Sequence, residues 1–552
     1  MKKKIIVIAS LAVFLLSINM IFGYKPNVST ENLPKLVVGI VIDQMTYDFI
    51  PRYMNKYTDD GFKKMISGGF FCTNANYIHF PTYTAVGHTC IYTGTVPAIN
   101  GICSNDWVDS GKTFYRYCAD DSNYSTVGSK SKEGRMSPSS LMTNTITDQL
   151  RISSGLKSRV FGVALKDRGG IFPAGHKGNA AYWYDNKAKG WITSSYYMNE
   201  LPEWVNEFNG RGLPQKYLGN VWNTMLPPDE YTESLPDDND FEDTFKGKER
   251  PVFPYDLSEL QKKNSNLLRY TPFGNTLTRE FAEALLKNEK AGLNGYTDFL
   301  CLSFSSSDYA GHRFGPNSVE VEDIYLRMDK ELSLFLNFLE GTYGKQNVLV
   351  FLTADHGICS NPEYLKTKGL DAGTFFHEAV LDSVNSFLYR EYGKEKLAMY
   401  FMNQQIYFDR NRILSAGLSI DGVTGKTVSY IRENVPGVTE VYTSTELKSG
   451  SANGEHAQYF KNGFYESRCG EIFVNFKKYW IEDRVKGAEH GSPYEYDTHV
   501  PLIWYGWKIG SGETSESISI TDIVPTLAAL LGIPPPEGCI GKPIKGVTDF
   551  VK

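Results

Sequence analysis

Three aspartates, three histidines and one threonine, most of them placed where apolar runs end, hold the chemistry this sequence can offer. Thr84 follows Pro81, which breaks the chain into a turn, and opens an apolar stretch through Ile91 that reads as a helix. A hydroxyl in that first turn faces free backbone N–H groups and the positive end of the helix dipole, so an anion held against it is stabilised. Such a hydroxyl attacks poorly until a base or a metal lowers its pKa. A helix cap is the plainer use of a lone threonine there. Thr82, two residues earlier, is a rival hydroxyl.

The other six residues have the character of a metal site. Asp308-Tyr309-Ala310-Gly311-His312 puts a carboxylate and an imidazole on one side of the chain if the segment is helical. Asp355-His356 offers two adjacent donors, His490-Gly491 a further imidazole, and Asp43 a carboxylate. Mixed oxygen and imidazole donors suit zinc or a similar first-row ion. Each motif alone is commonplace. With Thr84 they make seven candidate ligands, enough for two ions about 4 Å apart that clamp the oxygens of an in-line phosphoryl displacement.

Parallel strands would place these groups together. Leu36 to Ile42 ends in Asp43, Asp298 to Phe304 leads to Asp308, and Asn347 to Thr353 leads to Asp355. Unbroken apolar runs suit strands covered on both faces, and in such sheets ligands bind outside the carboxyl ends. Between the last two strands, Ile324, Met328, Leu332 and Phe335 give Val319 to Leu339 a helical period, hence a β-α-β crossover. Val500 to Trp504 reads as a closing strand and Thr521 to Leu531 as a closing helix. The spacing predicts an α/β chain with two capping insertions, at about 169–295, rich in Trp, Tyr, Asn and Pro, and at about 358–486.

Composition narrows the setting. With 41% hydrophobic and 22% charged residues among 552, the chain is ordinary globular material. A net charge of −6 without a basic stripe argues against nucleic acid as partner. Met1-Lys2-Lys3-Lys4 followed by the apolar Ile5 to Phe22 reads as a secretory signal over 1–23, long enough to serve instead as an uncleaved N-terminal anchor, and no later run is long enough to span a bilayer. A periplasmic or secreted protein without a stable membrane partner is expected. Its eight cysteines form no metal pattern; Cys103 and Cys118 are the candidate pair, close in sequence, and Cys90 reads as buried and free. No dinucleotide or P-loop glycine pattern follows any strand, and no sulfatase Cys/Ser-x-Pro-x-Arg signature is present.

The set Asp43, Thr84, Asn105, Asp308-x3-His312, Asp355-His356 and His490 resembles the alkaline phosphatase superfamily. Gly39 to Asp48, Pro81 to Trp107, Thr126 to Ser129, Lys166 to Gly169 and Gly491 to Pro501 are similar to its phosphate-irrepressible bacterial branch, the PafA type. That resemblance implies an alkaline-phosphatase-like, mostly parallel central sheet with helices on both faces, and two Zn2+ per chain in a phosphomonoesterase acting as a monomer. It implies Asp308, His312 and His490 on one zinc and Asp43, Asp355 and His356 on the other. It also implies Thr84, rather than Thr82, as the nucleophile that becomes a phosphothreonine, with Asn105 on a phosphate oxygen. Lys166 and Arg168 follow an apolar strand and point to one side if it continues. In the resemblance this pair separates the monoesterase from the phosphodiesterase and nucleotide pyrophosphatase alternative, because Lys and Arg favour the more highly charged ester. A catalytically silent phosphate binder would be expected to lack Thr84 or a ligand, and this chain keeps them all.

Overall fold

The computed structural model describes residues 33–109 and 114–551, so the signal segment expected at 1–23 lies outside the described residues. At its centre stands the Leu36–Ile42 strand, buried along its whole length as its unbroken apolar run requires. It pairs in parallel with Asp298–Phe304 on one side and Val348–Thr353 on the other, and Val41 lies opposite both Ser303 and Thr353. The three strands therefore reach the same sheet edge in step, and that register delivers Asp43, Asp308 and Asp355 to one place.

The sheet continues in parallel through Val160–Ala164 and Ala180–Asp185, then turns antiparallel at Gly190–Ser194. On the other side His499–Gly506 runs antiparallel to Val348–Thr353 and to Phe70–Asn76. Helices flank it, among them Val319–Tyr343, four residues longer than its sequence period suggests, and Thr84–Thr93. The closing helix is Ile523–Leu531, entered through a 3-10 turn at Ile520–Asp522. Gly87 lets the Thr84–Thr93 helix press onto the site, for a Cβ there would stand 2.0 Å from the Asp355 carbonyl oxygen.

Two expectations need correction. The strand before Lys166 ends at Ala164, and a new helix, Asp167–Ala174, starts directly after Lys166. Lys166 and Arg168 thus belong to a strand-to-helix turn, not to one strand face. The stretch 169–295 also does more than cap the sheet. Its aromatic segment Ala180–Asp185 is a fully buried sheet strand. Within 358–486, the strand-like Ala398 to Phe408 is a hairpin, Ala398–Met402 and Gln405–Phe408, in a four-stranded antiparallel sheet. That sheet and the helices His377–Tyr392 and Ile420–Asn434 share a separate core around Val384, Ile406, Ile431 and Val474.

Candidate active site

Thr84 is the first residue of its helix, after the extended Tyr83, as the turn at Pro81 implied. Its Oγ1 lies 3.2 Å from Lys166 Nζ. Thr82 is differently employed: its hydroxyl donates to the Ser492 carbonyl at 2.9 Å, and its own carbonyl accepts from His490 Nδ1 at 2.7 Å. Asn105 folds back on the same helix start, where its Oδ1 accepts the Ala85 N–H at 3.0 Å and so turns its amide N–H groups away from that contact.

The expected donors converge in two overlapping groups, Asp308 with His312 and His490, and Asp43 with Asp308 and His356, with donor atoms within 4.8 Å of one another in each. Asp308 and His312 lie one turn apart on the Ser306–Phe314 helix, with Oδ1 3.3 Å from Nε2. His490 Nε2 is 3.6 Å from the same oxygen, and His356 Nε2 is 3.6 Å from both Asp43 and Asp355. All three imidazoles spend Nδ1 on a backbone carbonyl: His312 on Ala488, His356 on Gly357, His490 on Thr82. Carbonyls only accept, so each Nδ1 carries the proton and each Nε2 keeps a lone pair for a cation.

These donors fit a metal. Asp43 Oδ1 and His356 Nε2 are buried without a hydrogen-bond partner, an arrangement that costs free energy unless a cation answers it. Burial pushes Asp43 well above the usual carboxylate range, and Asp308 and Asp355 add to the effect. Burial opposes the charge on Asp308 too, but Lys166 and His312 outweigh it and hold that group well below the range. Burial, then His356 and His312, keep His490 well below the ordinary imidazole value.

Lys166 is buried, and burial disfavours its charge; Asp308 and Asp43 reverse that, with Nζ 2.5 and 2.8 Å from their carboxylates, and raise its pKa. Arg168 stands apart from the donors. Its Nη1 meets Tyr117 Oη at 3.1 Å, on a cavity of about 370 Å³ that Lys166, Arg269, Tyr309 and Trp183 also line.

Several residues here had no sequence signal. Gln44 adopts a left-handed backbone, φ 68°, from which its N–H reaches Asp355 at 3.1 Å and its side-chain amide reaches Asp308 at 2.9 Å. His88 sits with Nδ1 3.1 Å from Asp355 Oδ2 and Nε2 2.9 Å from Ser303 Oγ. Both support ligands contributed by distant strands. The cysteine pairing suggested by sequence proximity is not what the fold brings together: Cys103 Sγ is 3.9 Å from the carbonyl of Arg468, beside Cys469. Cys90 is buried and free.

Residues 37–457 match the family of type I phosphodiesterases and nucleotide pyrophosphatases. The chain is 41% identical over 517 residues to alkaline phosphatase PafA of Elizabethkingia meningoseptica, covering 93% of this chain and 94% of that protein. It is equally similar, over the same shares, to a Myroides odoratus protein named a calcium-transporting ATPase. The crystal structure of wild-type PafA superposes with a TM-score of 0.91 at 40% identity, covering 94% of this chain and 99% of that one. Among the described residues no helix is long and apolar enough to cross a membrane.

Proposed function

The chain belongs to the PafA-type bacterial alkaline phosphatases within the type I phosphodiesterase family, and on that footing we propose that it hydrolyses a broad range of phosphate monoesters through a phosphothreonine at Thr84, with two zinc ions per chain. The observation that carries this reading is the placement of Thr84 Oγ1 at a helix start, 3.2 Å from a buried ammonium and beside two groups of convergent donors. Asp308, His312 and His490 would hold one ion and Asp43, Asp355 and His356 the other. When bound, such ions lower the pKa of a nearby hydroxyl or water and neutralise charge on the transferring phosphoryl group.

The chain's own groups do the rest. Lys166 donates to Thr84 Oγ1, which favours the anionic hydroxyl that forms the new O–P bond as the ester O–P bond breaks. The amide N–H of Asn105, whose Oδ1 is held by the Ala85 N–H, would face one phosphoryl oxygen, and Arg168 would reach another from the cavity side. Water then cleaves the phosphothreonine and frees Thr84. His88 and Gln44 keep the carboxylates aimed throughout. The apolar run behind the initial lysines supports export to the periplasm or beyond, with the mature chain acting as a monomer.

Side-by-side turnover of a phosphate monoester and a diester tests the reading. A preference for the diester would return the chain to the phosphodiesterase and nucleotide pyrophosphatase alternative.

A further inference from the structure

One carboxylate beside the donors belongs to neither group. Glu489 Oε1 lies 3.3 Å from His312 Nδ1 and 3.7 Å from His490 Nε2, and it accepts the backbone N–H of His490 at 3.2 Å. Its other oxygen is 3.1 Å from Arg484 Nε. The loop around it is tied to the metal-site helix in both directions: the Ala488 N–H donates to the His312 carbonyl at 3.2 Å, and His312 Nδ1 donates back to the Ala488 carbonyl at 3.1 Å. The Glu489 carbonyl in turn accepts the Cys359 N–H at 3.2 Å, three residues after His356.

An ion pair with Arg484 occupies one oxygen of this carboxylate, while the other, besides accepting the His490 N–H, stands between the two imidazoles. Glu489 meets His312 at Nδ1, the nitrogen opposite the one that faces Asp308. The Ala488 carbonyl already sets the tautomer, and a carboxylate in that position helps fix the ring plane of a metal-binding imidazole and makes it a stronger donor. Its contact with the His490 N–H fixes the second histidine through the backbone. A negative charge a few ångströms from a divalent ion adds attraction of its own.

We propose that Glu489, steadied by Arg484, is a positioning residue for the Asp308–His312–His490 metal site: it aims both imidazoles at one cation and raises the affinity of that site. The proposal rests on the reading of those three residues as metal ligands. It makes Glu489 neither a ligand nor a group that touches the substrate.

Zinc affinity of the full-length protein, measured by competition with a chromophoric chelator, tests it. Losing such a partner weakens metal binding by about 10–100-fold, so Glu489→Gln should raise the zinc Kd of one equivalent by that factor and leave the other unchanged. Glu489→Asp should recover part of the loss, and the metal-stripped variants should melt where the metal-stripped parent does. An unchanged zinc Kd in Glu489→Gln overturns the proposal, and so does a melting temperature that falls equally with and without metal, which would mark a purely structural role. His490→Ala serves as the reference. If it keeps the parent's zinc stoichiometry, the ligand reading beneath the proposal fails, and that result is distinct from a failure of Glu489 alone.

Discussion

Lys166 Nζ lies 2.8 Å from Asp43 Oδ2, with both side chains sealed from solvent. The same ammonium is 2.5 Å from Asp308 and 3.2 Å from Thr84 Oγ1, so it joins a carboxylate of each donor group to that hydroxyl. Asp43, Asp308 and Asp355 carry more negative charge than one ammonium neutralises, in a place where burial makes an unanswered charge costly.

Removing divalent metal should therefore abolish turnover, and zinc should restore it. Calcium or magnesium alone should restore little, because three imidazole donors favour softer ions. Metal at 100 times its Kd should also stabilise the fold by about 2.7 kcal/mol, visible as a higher melting temperature. Full activity from protein shown by elemental analysis to be metal-free would end the two-metal reading.

Acid quenching during turnover should trap phosphate on Thr84. Thr84→Ala should lose that label while zinc binding largely survives on the six remaining ligands, and a residual rate through water attack would not be a surprise. Thr82→Ala should still label at Thr84, since the Thr82 hydroxyl is committed to the Ser492 carbonyl. Label on Thr82 in the parent protein would move the nucleophile by two residues.

What the sequence made legible, and what it hid, has a common physical origin. Asp43, Asp308 and Asp355 are legible because each follows within four residues of the end of a largely apolar run, and in-register parallel strands then bring those ends together without further information. Asp308 and His312 followed from a four-residue spacing on a helix. Gln44, His88 and Glu489 act on residues from other elements, and no local period announces such contacts. Gln44 in addition depends on a left-handed backbone that its residue type does not signal. The Ala180–Asp185 strand gives no such signal, because its buried residues are aromatic and small rather than branched aliphatic. Lys166 and Arg168 were picked out by type, but the turn that carries them needed the helix Asp167–Ala174 to be seen.

A buried pair far from the metal donors gives a pH prediction. Glu242 and Glu320 face each other, each nearly without exposure, and Tyr255 donates to Glu320 while Asn239 donates to Glu242. Burial raises both carboxyl groups, Glu320 from the ordinary 4.5 to about 8. The raised groups contribute their full stability at pH values below the unfolded pKa. That contribution is lost as pH climbs through about 8, because the folded pair must then give up a proton the unfolded chain released earlier. Glu242→Gln keeps an acceptor for Asn239 and offers a donor to Glu320. Its melting temperature should gain on the parent's between about pH 5 and about pH 11, the span between the unfolded and folded values of the group removed. A difference that stays constant with pH would show that the pair shares no proton.

The last prediction separates Lys166 from Arg168 and rests on what each touches. A monoester presents two negative charges and three free oxygens to the site, whereas in a diester one oxygen carries a second organic group. Arg168 is held by Tyr117 and meets none of the metal donors in the structure, so its removal should subtract a contact to the substrate and little else. One charge-assisted hydrogen bond is worth roughly 1.5–3 kcal/mol, and about 1.4 kcal/mol is tenfold in rate. Arg168→Ala should thus lower monoester kcat/KM by about 10- to 100-fold and diester kcat/KM much less. Lys166 also contacts Thr84, Asp43 and Asp308, so Lys166→Ala should depress both reactions and disturb zinc binding, with the monoester still losing more. The informative quantity is the monoester-to-diester ratio, since damage to the fold or the metals lowers both rates together. If Arg168→Ala cut both in equal proportion, the guanidinium would have no part in choosing the doubly charged ester, and the specificity of this site would have to come from elsewhere in the cavity.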